Sequence, residues 1–331
     1  MLADAHVDTD VILPEFPVPP EDINTTTQIL DLIRFVKEYN LQKVSPKYRR
    51  LVESEDIIRE FDHMIGLQSP KSIMATQILS LCNKMDSNKE ILLNTVIYGP
   101  PGCGKTTMAH FLSKLYLKFG ILEDGKIIKG DRANMIGEYV GDTAIKTKKR
   151  LKEALGGVLF IDEAYQLGHA ADGNRCPFAY ECINTITQFI TEHKGKIVVI
   201  MAGYKDDIQK NVFAQNEGLA RRFPWEYTLD KYSSDELLDI FKNQTALADY
   251  TLADGVLTSS FFEENKDMFT NSGGDTETLF AKCKMVHDKR MFSLLKPDSI
   301  LSKTDIDKGY AIFKKCKEEA GEDEIPGYMY S

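Results

Sequence analysis

Short runs of consecutive apolar residues alternate along the chain with longer stretches whose apolar residues recur every three or four positions. The runs are Val96-Ile97-Tyr98, Val158-Leu159-Phe160-Ile161 and Ile197 to Met201; a short strand is also expected at Lys126 to Lys129 and a last one at Trp225 to Leu229. Four consecutive apolar residues predict a strand buried on both faces, as in a parallel sheet. The stretches between them carry helical stripes, such as Met108, Phe111, Leu112, Leu115 and Tyr116 within Thr106 to Phe119. Further helices are expected at Ile73–Lys84, Thr143–Ala154, Phe178–His193 and Asp206–Phe213. Strands alternating with helices predict an α/β domain over 61–230. Ahead of it, Ile29, Leu30, Leu32, Ile33 and Val36 give a helical stripe, Pro46 and Tyr48-Arg49-Arg50 a break, and Ser54 to Phe61 a second helix. These make a helical segment over 27–60. Residues 1–26 are acidic and proline-dotted and predict a disordered arm. Ser233-x-x-Glu236 is a capping box, after which only helical stripes follow to Lys317. They predict an all-helical domain over 231–320, with 321–331 as a tail.

One strand leads into chemistry. Asn94 to Thr107 reads NTVIYGPPGCGKTT, an apolar run closing in G-x-x-x-x-G-K-[ST]. Gly99, Pro100, Pro101, Gly102, Cys103 and Gly104 form a loop between a strand and a helix. Such a loop turns its N–H groups around phosphates, with the helix N-terminus behind them. Lys105 supplies a point charge, Thr106 a hydroxyl for a metal, and Thr107 completes the nucleotide-binding set. Cys103 either makes the loop sensitive to oxidants or is a small filler.

The second landmark is the run Val158 to Ile161, which ends in Asp162-Glu163. Ligands of parallel sheets bind at the carboxyl ends of strands, which brings both acids beside the phosphates. Asp162 can hold Mg²⁺ and Glu163 can polarise an attacking water, all that phosphoryl transfer asks beyond positioning and charge neutralisation. Other places stay open. Ile65-Gly66 either lets backbone approach an adenine ring or is an ordinary turn. Tyr139-Val140, between glycines, is an exposed gripping loop or a buried aromatic. The basic cluster Lys146, Lys148, Lys149, Arg150 and Lys152 is a partner surface or a solvated helix face. Arg221-Arg222, just before the last strand, either form surface ion pairs or reach a neighbouring subunit's γ-phosphate.

Composition narrows the field. The chain has 331 residues with a net charge of −9, against a general nucleic-acid binder. No run approaches the ~18 apolar residues of a membrane span, and the N-terminus lacks a signal pattern. The six cysteines are scattered without a C-x-x-C pair, which suits free thiols in a reducing, cytoplasmic setting.

By its motifs the chain resembles the AAA+ ATPases, and within them the group of the red-type rubisco activase CbbX and stage V sporulation protein K. The matching text is GEYVGDTAIKT, then GGVLFIDEAYQL, then IVVIMAGYKDD, in that order after the phosphate loop. The resemblance covers Phe61 to Leu229 strongly and the helical domain weakly. It implies a P-loop NTPase fold with a five-stranded parallel sheet, a helical lid, and a homo-oligomeric ring, usually a hexamer, with ATP and Mg²⁺ between subunits. Lys105 and Thr106 match Walker A, and Asp162 and Glu163 match Walker B. Arg221 and Arg222 match the paired arginines that supply the finger, and Tyr139 the pore-loop aromatic that grips polypeptide. Two departures stand out. Tyr204 fills the slot where many members carry a polar sensor, and Asp275 stands near the position of a lid sensor arginine. The expected function is Mg-dependent ATP hydrolysis that remodels or threads a protein substrate through a ring. An ATP-controlled assembly or adaptor module with slow hydrolysis is the alternative. A nucleic-acid motor and a P-loop kinase rank below both.

Overall fold

The computed structural model describes residues 18–43, 45–85, 92–139, 141–168, 176–292 and 298–322. Most of the expected arm, Val140, most of the loop after 168 and the tail from 323 lie outside the described residues. Contacts divide the chain into two compact units, Met1–Gly99 with Lys105–Leu229, and Pro100–Gly104 with Asp230–Ser331.

The first unit opens with helices α1 (Thr26–Glu38), α2 (Pro46–Glu53), α3 (Glu55–Asp62) and α4 (Gln68–Met85). Thr25 and Gln28 form a capping box at the start of α1, and Ile29, Ile33 and Val36 are fully buried. Packed structure begins earlier than the sequence suggests. A 3₁₀ turn spans Pro20–Asp22, and Ile23 and Thr26 are buried. The prolines hide this start, because a single aliphatic ahead of a cap shows no periodicity. Helix α2 occupies the expected break. Pro46 stands at its first turn, where the missing N–H costs nothing and the fixed φ suits the helix. Phe61 of α3 meets Phe111 edge-on at 5.3 Å, docking these helices on the helix after the phosphate loop.

That helix is α5 (Lys105–Lys118). The remaining elements are β1 (Thr95–Tyr98), β2 (Ile127–Gly130), α6 (Arg132–Met135), α7 (Asp142–Glu153), β3 (Val158–Ile161), α8 (Pro177–Glu192), β4 (Val198–Gly203), α9 (Lys205–Asn211), α10 (Glu217–Ala220) and β5 (Trp225–Thr228). The five strands form one parallel sheet in the order β2-β3-β4-β1-β5. β1, β3 and β4 are buried along their whole length, as near-continuous apolar runs require. β2 and β5 at the edges are partly exposed. Asn94, 3% exposed, ties two segments together. Its Oδ1 accepts from Val199 N at 2.9 Å and its Nδ2 donates to Arg222 O at 3.0 Å.

The second unit holds α11 (Ser234–Leu247), α12 (Ser259–Glu264), α13 (Ser272–Met291) and α14 (Lys303–Glu322). Ser233 and Glu236 make the expected capping box. The unit is not all-helical. Thr251–Leu252 (β6) and Ile300–Leu301 (β7) pair in parallel, two residues each, too short to register as a pattern. The core is aromatic: Phe241 meets Phe280 at 6.1 Å, and Phe269 stacks on Phe313 at 5.5 Å.

Asp305, fully buried at the start of α14, takes hydrogen bonds from Arg290 Nη2 (2.7 Å), Ser302 N (2.9 Å) and Ser302 Oγ (2.7 Å). Burial works against its charge, but Arg290 and Ser302 prevail and hold the carboxyl at about 2. A carboxyl lowered by folding contributes stability above its unfolded value of about 3.9 and loses it as pH falls through the folded one. The second unit should therefore lose about 2 kcal/mol between pH 5 and pH 2. Hydrogen exchange in α13 and α14, corrected for intrinsic rates, reads this loss, and Asp305→Asn should flatten it.

Candidate functional site

The carboxyl ends of three neighbouring strands converge in the first unit. β3 delivers Asp162 and Glu163, β4 delivers Gly203 and Tyr204, and β1 delivers Gly99, whose N–H donates to Gly203 O at 3.1 Å. Lys105, the first residue of α5, reaches across all three. It is 7% exposed, and its Nζ donates to Gly99 O at 3.0 Å. The same atom lies 3.7 Å from Glu163 Oε1 and 6.0 Å from the centre of the Tyr204 ring.

Glu163 is held in an unusual conformation. Its φ is +47, a left-handed backbone that side-chain-bearing residues adopt at a cost and that concentrates at functional sites. Its N–H donates to Asp162 Oδ1 at 3.0 Å, and its carbonyl accepts from Gln166 N at 2.9 Å. Glu163 Oε2 is buried without a hydrogen-bond partner among the described residues. A buried carboxylate oxygen left open is an acceptor awaiting a donor, such as water. Beside it, the Tyr165 phenol is lifted to about 12, chiefly by its hydrogen bond to the Glu163 carboxylate. Asp162 and Thr106 are both exposed and offer hard oxygen ligands. Among the described residues no cluster of three acids, histidines or cysteines could hold a metal alone. That donor set fits Mg²⁺, which takes one or two protein oxygens and completes its shell with water and phosphate.

The loop segment Pro100–Gly104 belongs by its contacts to the second unit. Gly102 and Gly104 have φ of +71 and +93, which glycine adopts without strain. A Cβ on Gly102 would lie 1.8 Å from Asn271 O, and Gly102 O accepts from Gly273 N at 3.2 Å. The Cys103 thiol is fully buried and donates to Pro100 O at 2.9 Å, in keeping with the filler role. Tyr232 Oη donates to Cys103 O at 3.2 Å, a support that no motif announces. Asp275, which stands near the place of a sensor arginine, is structural. Its Oδ2 caps Asn271 N at 2.7 Å and its Oδ1 pairs with Lys317 at 2.7 Å. Arg290 is committed to Asp305.

The remaining candidates stand as follows. Ile65 and Gly66 are half-buried in a turn where Gly66 and Leu67 are both left-handed, at φ +68 and +60. Tyr139 is 72% exposed and is not a core aromatic. The loop's root is fixed on α7: Gly137 N donates to Thr143 Oγ1 (2.9 Å), Thr147 Oγ1 to Met135 O (2.8 Å) and Lys146 Nζ to Ile136 O (3.3 Å). Of the basic cluster, Lys148, Lys149 and Lys152 are exposed, and Arg150 pairs with Glu153. The two arginines part company. Arg222 Nε donates to Thr191 Oγ1 at 2.7 Å and its Nη1 to Gly218 O at 2.6 Å, whereas Arg221 is exposed.

Comparisons with known proteins agree with this architecture. The family described as "ATPase family associated with various cellular activities (AAA)" matches residues 95–222. The "Putative cfxQ-like protein R730" of Acanthamoeba polyphaga mimivirus is 34% identical, over 97% of this chain and 81% of that protein. That alignment reaches well beyond the region of resemblance seen in the motifs. Stage V sporulation protein K of Bacillus subtilis is 32% identical over 70% of this chain and 72% of its own length. The ESX-1 secretion system protein EccA1 of Mycobacterium tuberculosis is longer; the chain, 34% identical over 68% of its residues, spans 39% of it. Among solved structures, a mutant RuvB of Thermotoga maritima shares the fold with a TM-score of 0.53 at 17% identity, covering 76% of this chain and 71% of that one. With the mimivirus and Bacillus relatives matched over most of their length and its P-loop parallel sheet in place, the chain belongs to the AAA family of ATPases.

Proposed function

We propose that the chain hydrolyses ATP in a homo-oligomeric ring, a hexamer in this reading, and uses the cycle to remodel a protein threaded past Tyr139. The observation that carries it is the Lys105–Glu163 arrangement, a buried ammonium beside a carboxylate with one open, buried oxygen. Loop residues Gly99 to Gly104, with Thr107, surround the phosphates. Lys105 exchanges Glu163 for the β- and γ-phosphates, and the α5 N-terminus adds its dipole. Thr106 and Asp162 would hold Mg²⁺, which supplies charge neutralisation at the phosphates when bound. Glu163 Oε2 accepts the proton of the attacking water. Ile65 and Gly66, at their left-handed turn, lie against the adenine.

Arg221 is the residue that reaches the γ-phosphate bound to the next subunit, since its side chain is exposed. Arg222 holds the turn that carries it, through Thr191 and Gly218. Tyr139, with Val140 beside it, grips the substrate. Tyr139→Ala should keep ATP turnover without substrate within about twofold of wild type and abolish ATP-dependent unfolding of a bound protein. Candidate substrates come from capture by the Glu163→Gln variant in ATP. Unfolding that survives Tyr139→Ala would remove threading from the reading.

One observation favours the slower adaptor reading: Asp275 is tied to Lys317 at the place of a sensor arginine, so no guanidinium is offered there. ATP turnover measured with and without captured proteins separates the two. Stimulation by a protein supports the remodelling reading, and slow turnover indifferent to every captured protein supports the adaptor. Among the described residues no helix is long and apolar enough to cross a membrane.

A further inference from the structure

Tyr165 is the residue the sequence leaves without work. It is third after Asp162 in the stretch DEAY and opens no motif of its own. In the structure it lies in the 3₁₀ turn Ala164–Gly168 that follows the catalytic acid, half-buried. Its ring is seated by β4. A Cβ on Gly203 would come within 3.1 Å of Tyr165 Cδ1, so a side chain there would push the ring away. The Tyr204 ring faces it at 6.2 Å, tilted by 44°. Tyr204 in turn lies 6.0 Å from Lys105 Nζ, which is 3.7 Å from Glu163 Oε1. The Tyr165 hydroxyl hydrogen-bonds the Glu163 carboxylate, which brings lysine, glutamate and two tyrosines together around one carboxylate.

The group changes when nucleotide arrives. Lys105 cannot serve Glu163 and the phosphates equally, and the phosphates carry more charge. Once Lys105 turns to them, Glu163 loses its cation and needs another donor to fix its rotamer. A hydroxyl that keeps one side of the carboxylate leaves Oε2, buried and without a partner among the described residues, as the acceptor for water. An acid free to rotate would present its oxygen to the water only part of the time, and small misplacements of a reacting group cost up to about 100-fold.

We propose that Tyr165 is a positioning residue for hydrolysis: seated by Gly203 and Tyr204, its hydroxyl holds the Glu163 carboxylate in register after Lys105 has moved to the phosphates. This rests on Glu163 acting as the general base. The Tyr204 ring contributes as a wall, in the slot where other members carry a polar side chain.

Tyr165→Phe removes the hydroxyl and keeps the ring against Gly203 and Tyr204. The test is kcat and KM for ATP, the Kd of a fluorescent ATP analogue, and the melting temperature, with Glu163→Gln run in parallel. The expected result is a kcat lowered about tenfold, with KM, Kd and melting temperature unchanged. A structural role alone would lower the melting temperature and leave kcat. A Tyr165→Phe kcat within twofold of wild type, while Glu163→Gln is inactive, overturns the proposal and spares the base. Wild-type turnover in Glu163→Gln overturns both.

Discussion

Glu163→Gln should lower ATP turnover by about 100-fold or more and leave ATP bound at least as tightly as in the wild type. The amide keeps the size of the carboxylate but cannot take a proton from water. The open, buried Oε2 is where that proton would go, and an amide nitrogen there would point a donor at the water instead. Binding should not suffer, because Lys105 loses a competitor. In the free protein its Nζ lies 3.7 Å from Glu163 Oε1. Phosphate release under steady state, with a fluorescent ATP analogue for affinity, reads both effects. Turnover near the wild-type rate would remove Glu163 from the mechanism.

Arg221→Ala should lower turnover about 1000-fold. The magnitude follows from the charge that builds on the transferring phosphoryl group, which a positioned guanidinium offsets. Arg221 is the member of the pair able to supply it, because Arg222 is already bonded to Thr191 and Gly218 and its carbonyl is held by Asn94. The defect should appear in kcat and leave ATP affinity within a few fold, since a finger acts on the transition state. A variant that hydrolyses ATP at the wild-type rate would exclude Arg221 as the finger.

Much of the architecture is legible in the chain because the sheet buries its three inner strands along their whole length. Val158 to Ile161 and Ile197 to Met201 stand out as unbroken apolar runs, and the acids and glycines that end them mark the site. Helix α2 is missed because Pro46 reads as a break, although proline is at home in a first helical turn. β6 and β7 are two residues each and leave no period. The arginines look alike in sequence, and only Thr191, 31 positions upstream, and Gly218 tell them apart. Tyr165 has no signature either, because its seat is built by Gly203 and Tyr204 on a different strand. Asp275 shows the converse. A departure from a family pattern reads in sequence as a weakened sensor, and in the structure it is a helix cap paired with a lysine. Local periodicity thus reports elements, whereas the division of labour among like residues is written in contacts between distant segments.

The central claim is that each ATP is cut by Glu163 of one copy with the guanidinium of the next. Mixing Glu163→Gln with Arg221→Ala protein tests it directly, because each alone should turn over ATP only slowly. In mixed rings an Arg221→Ala subunit still carries Glu163, and a Glu163→Gln neighbour still carries Arg221. Phosphate release should therefore reappear on mixing and peak near equal proportions. A mixture as inactive as its separate components, in rings shown to exchange subunits, would contradict the account.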